Sequence, residues 1–331
     1  MFTRSCASSI EATGIDAYRE FINPWDADLK QISPGRFRAR MEYVQINGIL
    51  LYREHWTHRV MTATATPPGF FMFGGSMSQT ARPNWCGVEL NSQCLAYGYP
   101  SSEVEFVVPE DSRHMVLLVP CDVLRRYLGE ESAKAVLSDV HWLTCELRLS
   151  HRFLALIDGI IERYWAQPGL LDDDRLCRTI ESQLLGSLAE VLLGSDAEGP
   201  GPSPRKRYSA VCRAIRFAEG RRAPLSVQDL SEAVGVSERA LERGFRETLE
   251  ITPRRYLRWS RINGLQRDLR ATEPGTATVA AIATRWGFEE LGRTAVYYKE
   301  LLGESPSTTL AYCAGPRPVR LADSLRNSAG L

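Results

Sequence analysis

The stretch LSVQDLSEAVGVS (residues 225–237), running on into ERALERGF (238–245), returns in altered form as ATVAAIATRWGF (277–288) followed by EELGRTAVYY (289–298). Val227, Leu230, Gly235 and Val236 recur as Val279, Ile282, Gly287 and Phe288, each 52 residues on. Thr252-Pro253 recurs 53 residues on as Ser305-Pro306. Apolar spacing, a turn glycine and a cap-plus-proline pair all repeat, which marks a duplicated structural module.

Each copy has the logic of a helix-turn-helix. Ser226 suits an N-cap and Asp229, three residues later, closes a capping box. Val227, Leu230 and Ala233 are expected to face inward, and Gly235 to supply the positive φ of a tight turn. Ser237 caps a second helix that carries Arg239, Glu242, Arg243 and Arg246 on one face, with Leu241 and Phe245 on the other. A single exposed helix with forked arginines fits a DNA major groove and can reach its base edges. Between the copies, PRRYLRWSRINGLQRDLRA (253–271) reads as one helix with proline in its first turn and an apolar stripe of Tyr256, Leu257, Ile262, Leu265 and Leu269. At ~1.5 Å per residue it spans ~27 Å, close to the ~34 Å between successive turns of one groove.

Charge supports this division. The chain is neutral overall, yet residues 1–204 hold 18 basic and 26 acidic side chains and residues 205–331 hold 22 and 14. A balance of −8 against +8 gives the C-terminal part the sign that meets a polyanion.

Segment 208–312 resembles the DNA-binding domain of the AraC/XylS family of bacterial transcription regulators. The resemblance is carried by Leu230, Ala233, Gly235, Ser237, Leu241, Arg243, Phe245, Pro253, Tyr256, Leu257, Arg258, Ile282, Ala283, Gly287, Phe288, Tyr298, Gly303 and Pro306. It implies that Arg239, Glu242 and Arg243 read bases in the first unit, and that Leu291, Gly292, Arg293 and Val296 hold the matching positions of the second. Arg293 is there the one base-reading donor. Arg246, Arg254, Arg258 and Lys299 are assigned to backbone phosphates. Glu250 departs from the usual glycine after the first reading helix, a strain of about 1 kcal/mol. Thr294 and Leu302 stand where phenylalanines are usual and are expected to thin the second core.

Upstream, Gly194–Arg207 (GSDAEGPGPSPRKR) reads as a linker. Before it, strand patterns at 37–43, 49–56, 70–73, 93–97, 104–108 and 115–119 alternate with turn signals, which suits a sandwich or barrel. From Cys121 the period becomes helical, through Val123 and Leu124, then Phe153, Ile157, Ile160 and Tyr164, and a last helix at 171–193. The resemblance implies that this half is a cupin-like β-barrel sensor followed by helices.

The expected fold is therefore α+β with two domains. Residues 1–193 form the sensor and dimerisation domain, with the barrel at about 33–119 and helices at about 121–193. The linker is 194–207, the all-α double helix-turn-helix 208–312, and a tail 313–331. Trp56, Phe71, Trp85 and Tyr97 are candidate linings of a small-molecule effector pocket. The expected partners are double-stranded DNA, RNA polymerase, a small-molecule effector and a second copy of the chain as homodimer. The helices at 150–166 and 171–193 either supply that dimer surface or pack on the barrel. The alternatives are a sensor half that only dimerises or binds a protein, and a cupin-type enzyme fused to a DNA-binding domain.

Other classes find little support. No phosphate loop, nucleophile elbow or paired-acid motif is present, so no catalytic residue is assigned. His55, His58, His114 and His141 lack metal-ligand spacing and the eight cysteines form no Cys-x-x-Cys, so no metal or cofactor is expected. The thiols suit a reducing compartment. With no secretory or membrane-spanning pattern, the chain is expected in the bacterial cytoplasm, bound to the nucleoid when on DNA.

Overall fold

The structure, a computed structural model, describes residues 5–22, 27–78, 82–90, 94–136, 142–145, 147–196, 202–273 and 275–311. The N-terminal part holds the strands β1 (Cys6–Thr13), β2 (Asp28–Gln31), β3 (Arg38–Ile46), β4 (Ile49–Trp56), β5 (Val60–Ala65), β6 (Phe70–Ser76), β7 (Asn84–Trp85), β8 (Val88–Glu89), β9 (Cys94–Gly98), β10 (Glu103–Val108), β11 (Ser112–Pro120), β12 (Trp142–Cys145) and β13 (Ser195–Asp196). Its helices are α1 (Ile15–Phe21), α2 (Cys121–Leu128), α3 (Glu130–Val136), α4 (Leu147–Ala166) and α5 (Asp174–Leu193).

The strands form two antiparallel sheets. The larger runs β1-β3-β4-β11-β6-β9-β12-β13 and the smaller β2-β5-β10-β7-β8. Among the described residues neither sheet closes on itself, so the expected closed cupin-like barrel is replaced by two open sheets facing each other. Their free ends explain this. The edge strand β2 meets a helix of the C-terminal domain instead of a further strand.

Strand alternation divides the apolar residues between two cores. Met41, Tyr52, Trp56, Phe70 and Met72 fill the space between the sheets. Val44, Leu51, Phe71, Phe73 and Tyr97 face the other way, onto α4 and α5. Those helices bury Phe153, Ile157, Ile161, Tyr164, Ile180, Leu184 and Leu188 against the sheet. The stripes offered above as a dimer surface are thus consumed internally, which favours the alternative of packing on the sheet.

The C-terminal part is helical: α6 (Pro202–Ala218), α7 (Val227–Val234), α8 (Glu238–Leu249), α9 (Pro253–Ala271), α10 (Val279–Arg285), α11 (Leu291–Leu302) and α12 (Pro306–Leu310). The stretch read as linker is shorter than expected, because β13 takes Ser195–Asp196 and α6 already begins at Pro202. The tail 313–331 lies outside the described residues.

Candidate nucleic-acid interface and sensor cavity

The two repeats fold as two copies of one device. Ser226 accepts from Asp229 N and its own backbone N–H donates to the Asp229 carboxylate, completing the capping box. Thr278 caps α10 through Ala281 N. Gly235 and Gly287 sit at φ 70° and 68°, in the left-handed region that glycine adopts without Cβ strain. Thr252 and Ser305 then cap α9 and α12 ahead of their prolines. Val234, not Ala233, turns inward with Leu230, and Ala233 is exposed.

The copies differ in the turn. Two residues separate Gly235 from the start of the next helical stretch, with Ser237 as its cap. Gly287 lies three residues before the cap position Glu290, whose side chain makes no capping bond. This extra residue turns the 52-residue offset into 53, so Arg239, Glu242, Arg243 and Arg246 align with Gly292, Ala295, Val296 and Lys299. Arg293 aligns with Ala240, one position after the counterpart of Arg239.

On α8, Arg239, Glu242, Arg243 and Arg246 are all exposed. Arg243 pairs with Glu247 at 2.7 Å and Arg246 with Glu242 at 3.1 Å. Exposed pairs of this spacing hold about 0.3–0.5 kcal/mol, so a DNA phosphate or base edge displaces them at little cost. On α11 the exposed positions are Leu291, Gly292, Arg293, Val296 and Lys299, a face with few donors. The Arg293 Nε donates to Tyr297 Oη at 2.8 Å, turning it toward the cleft between the units. Arg254 and Arg258 line that same cleft, with the Arg258 guanidinium 4.2 Å from the Tyr297 ring centroid. Arg261, not singled out in the sequence, also lines it, braced on the carbonyls of Trp286 and Gly287. Thr294 and Leu302 are both buried, Leu302 in one core with Trp286, Phe288 and Tyr298, and the Thr294 hydroxyl donates to Glu290 O.

Helix α9 is buried around most of its girth, because it meets both units and the sensor. Gly264 packs on Trp286, where a Cβ would lie 2.2 Å from the indole. On the opposite side Asn263 treats β2 as a strand would. Its Nδ2 donates to Gln31 O at 3.0 Å and its Oδ1 accepts from Gln31 N at 3.1 Å. Around this amide lie Lys30 with Glu219 at 2.6 Å, Arg267 with Asp28 at 2.8 Å, and Gln31 Nε2 donating to Leu301 O at 2.6 Å. Farther along, Arg59 meets Glu250 at 2.6 Å and the Tyr208 hydroxyl donates to Glu105 O at 3.3 Å.

Between the sheets lies a cavity of about 90 Å³. Trp56 and Trp85 line it, as expected; Phe71 and Tyr97 do not, because their strand positions point to α4 and α5. Sequence reasoning missed its polar end. Tyr18 donates to Glu54, which also contacts His114 Nε2. The available signal was Glu54 itself, a charge on the inward face shared by Tyr52 and Trp56. Burial, with the Glu54 carboxylate next, pushes the Tyr18 phenol well above its ordinary range, so it stays a donor. His55 instead pairs with Asp111 on the surface, and His141 lies outside the described residues. Among the described residues no three metal-ligating side chains cluster. No helix among them is long and apolar enough to cross a membrane.

Residues 230–312 match a family described as a helix-turn-helix domain. The chain is 30% identical over 191 residues to a probable thc operon regulatory protein of Rhodococcus erythropolis, covering 57% of each chain. It is 25% identical to a XylDLEGF operon transcriptional activator of Pseudomonas putida, covering 65% of each. The chain is thus similar to operon regulators over part of its length and carries a helix-turn-helix domain at 230–312. The matches span less than two thirds of these relatives' length. An AraC-like transcriptional activator, CuxR, is similar over 84% of this chain and all of that one, at 12% identity and a TM-score of 0.42. A probable AraC family regulator from Rhodopseudomonas palustris is 28% identical over 31% of this chain and 94% of that one, at a TM-score of 0.29.

Proposed function

We propose that the protein is a sequence-specific DNA-binding transcription regulator that reads two adjacent major-groove segments with α8 and α11. The observation that carries this is the duplicated unit: two capped helix-turn-helix copies present exposed helices and share the buried helix α9. The three exposed side chains Arg239, Glu242 and Arg243 give the first unit most of the base discrimination. Arg246, Lys299, Arg254 and Arg258 hold phosphates. Activation, with RNA polymerase as partner, is the role that the activator names of the relatives suggest. A homodimer would need a surface other than the buried stripes of α4 and α5.

The sensor half responds to a small effector held between the sheets. Leu29 of β2 lines the cavity while its neighbour Lys30 holds Glu219, just past the end of α6, so one strand separates effector from DNA-binding domain. An effector that binds one arrangement of this strand better than another shifts the DNA-competent population by that difference in affinity.

Selection from a random duplex library with the full chain tests the first claim. A bipartite motif whose halves lie about one helical turn apart is expected; no enrichment over random duplex would overturn it. Thermal melts of the full chain against bacterial metabolites, with and without the selected duplex, test the second. A compound that raises the melting temperature and changes duplex affinity is expected, and a silent screen would overturn the effector role.

A further inference from the structure

The cavity between the sheets is selective by charge as well as by size. Its walls are apolar over most of their extent, and among the described residues no lysine or arginine lines it. Its single acid, Glu54, is already engaged by the Tyr18 hydroxyl and by His114. Two further polar atoms of the lining residues are buried with no hydrogen-bond partner among the described residues, Thr62 Oγ1 and His114 Nδ1, while the Trp56 indole N–H faces the Tyr18 oxygen. Thr62 is 1% exposed, so no bulk water satisfies it. Groups buried in this way are costly unless something meets them.

Their chemistry defines what meets them. A hydroxyl and an imidazole nitrogen each accommodate either role, so one uncharged oxygen, as donor or acceptor, satisfies Thr62. A carboxylate ligand would enter a low-dielectric space beside Glu54 with no cation to offset it. An ammonium would bring three donors to a site whose one acid already holds two partners. The volume of about 90 Å³ is smaller than a cavity of ~150 Å³ that takes benzene. Met41, Met72 and Met115 line it, however, and such unbranched side chains give way readily.

We infer that the cavity takes an uncharged molecule about the size of one ring, with a single polar oxygen received by Thr62. This deepens the effector reading above and rests on it. Thr62 pairs with Leu29 in the sheet, so the ligand's polar head lies against β2.

Three probes on one ring frame test the class: cyclohexanone, cyclohexanecarboxylate and cyclohexylammonium, each titrated into the full chain with thermal melting and tryptophan fluorescence as readouts. Cyclohexanone is expected to raise the melting temperature with concentration and to perturb the emission of Trp56 and Trp85, the charged probes to do neither. In Thr62→Val, which keeps the shape and loses the hydroxyl, affinity for cyclohexanone is expected to fall about tenfold. Thr62→Ala, which also removes the hydroxyl, is expected to lose a similar factor and serves as the second variant should one fold poorly. Tighter binding of either charged probe, or binding unaffected by both substitutions, would overturn the inference while leaving an effector site intact. No response to any probe also overturns it, and the effector reading then falls only if the metabolite screen is silent as well.

Discussion

Glu250 ends the first reading helix in the left-handed conformation, at φ 57°, and from that position its carboxylate reaches Arg59 of the sensor at 2.6 Å. The residue that departs from the family's glycine is thus a contact between the two halves of the chain. The left-handed backbone costs a non-glycine residue roughly 1–2 kcal/mol, and an ion pair half open to solvent returns at most about 1 kcal/mol. Glu250→Ala keeps the strain and loses the pair, so it is expected to lower stability by about 1 kcal/mol. Glu250→Gly loses both and is expected to stay near the parent. Urea unfolding of the full chain gives the order; equal stability of the two variants would show that backbone strain is not what Glu250 endures.

Gly264 has no room for a methyl group against Trp286. Gly264→Ala is expected to cost about 1–3 kcal/mol through overpacking and to loosen α10 from α9. Unfolding curves measure the first effect. A red shift of the tryptophan emission, as the buried Trp286 indole meets water, measures the second, and no change in either would contradict the close packing.

The Asn263 side chain closes the free edge of β2 with two hydrogen bonds. Asn263→Leu leaves the buried N–H and C=O of Gln31 unmet, at about 1–3 kcal/mol for each group. Amide exchange at residues 28–31 is expected to accelerate strongly while exchange in β3 and β4 is unchanged. Uniform acceleration across the sheets would mean general destabilisation instead.

Base reading and phosphate holding separate by salt and sequence. Arg243→Ala is expected to abolish preference for the selected duplex, and Arg293→Ala to weaken binding with smaller loss of preference, since Arg293 aligns with Ala240. Arg246→Ala and Lys299→Ala should each lower the log–log salt slope by about one unit on any duplex. Binding titrations against selected and random DNA at several salt concentrations check both; equal specificity losses for Arg243→Ala and Arg293→Ala would refute the asymmetry.

Cys212 on α6 and Cys86 beside β7 both lie where α6 meets the sensor near Glu105. Burial pushes the Cys86 thiol up to about 11, and burial with Glu105 raises that of Cys212 further. The thiolate is the reactive form, so alkylation of both at pH 8 is expected to be slow while the halves are joined and to quicken whenever they part. Mass-spectrometric labelling rates with and without the selected duplex provide the check.

Much of this molecule was legible in the sequence where local rules dominate. The caps at Ser226 and Ser237, the turn glycines, and the strand Ile49–Trp56 follow from residue type and period alone. What was not legible depends on contacts distant in sequence. Strand Asp28–Gln31 is four residues long and carries a lysine that Asp28 and the distant Glu219 together make tolerable inside. Phe71 and Tyr97 look like pocket aromatics, but the sheet has two buried faces and period two does not say which face holds a cavity.

Successive residues of β2 answer to different halves of the protein, Leu29 to the cavity and Lys30 to Glu219. That makes reading frame along the strand a constraint of its own. Losing or gaining one residue between Ala27 and Leu29 would exchange the places of Leu29 and Lys30, sending the lysine among the aromatics and the leucine to the acid. Drift in this segment is therefore confined to substitution in place. Lineages of such a regulator can alter what they sense or how firmly the halves hold together, one alternate position at a time, without ever changing the strand's length.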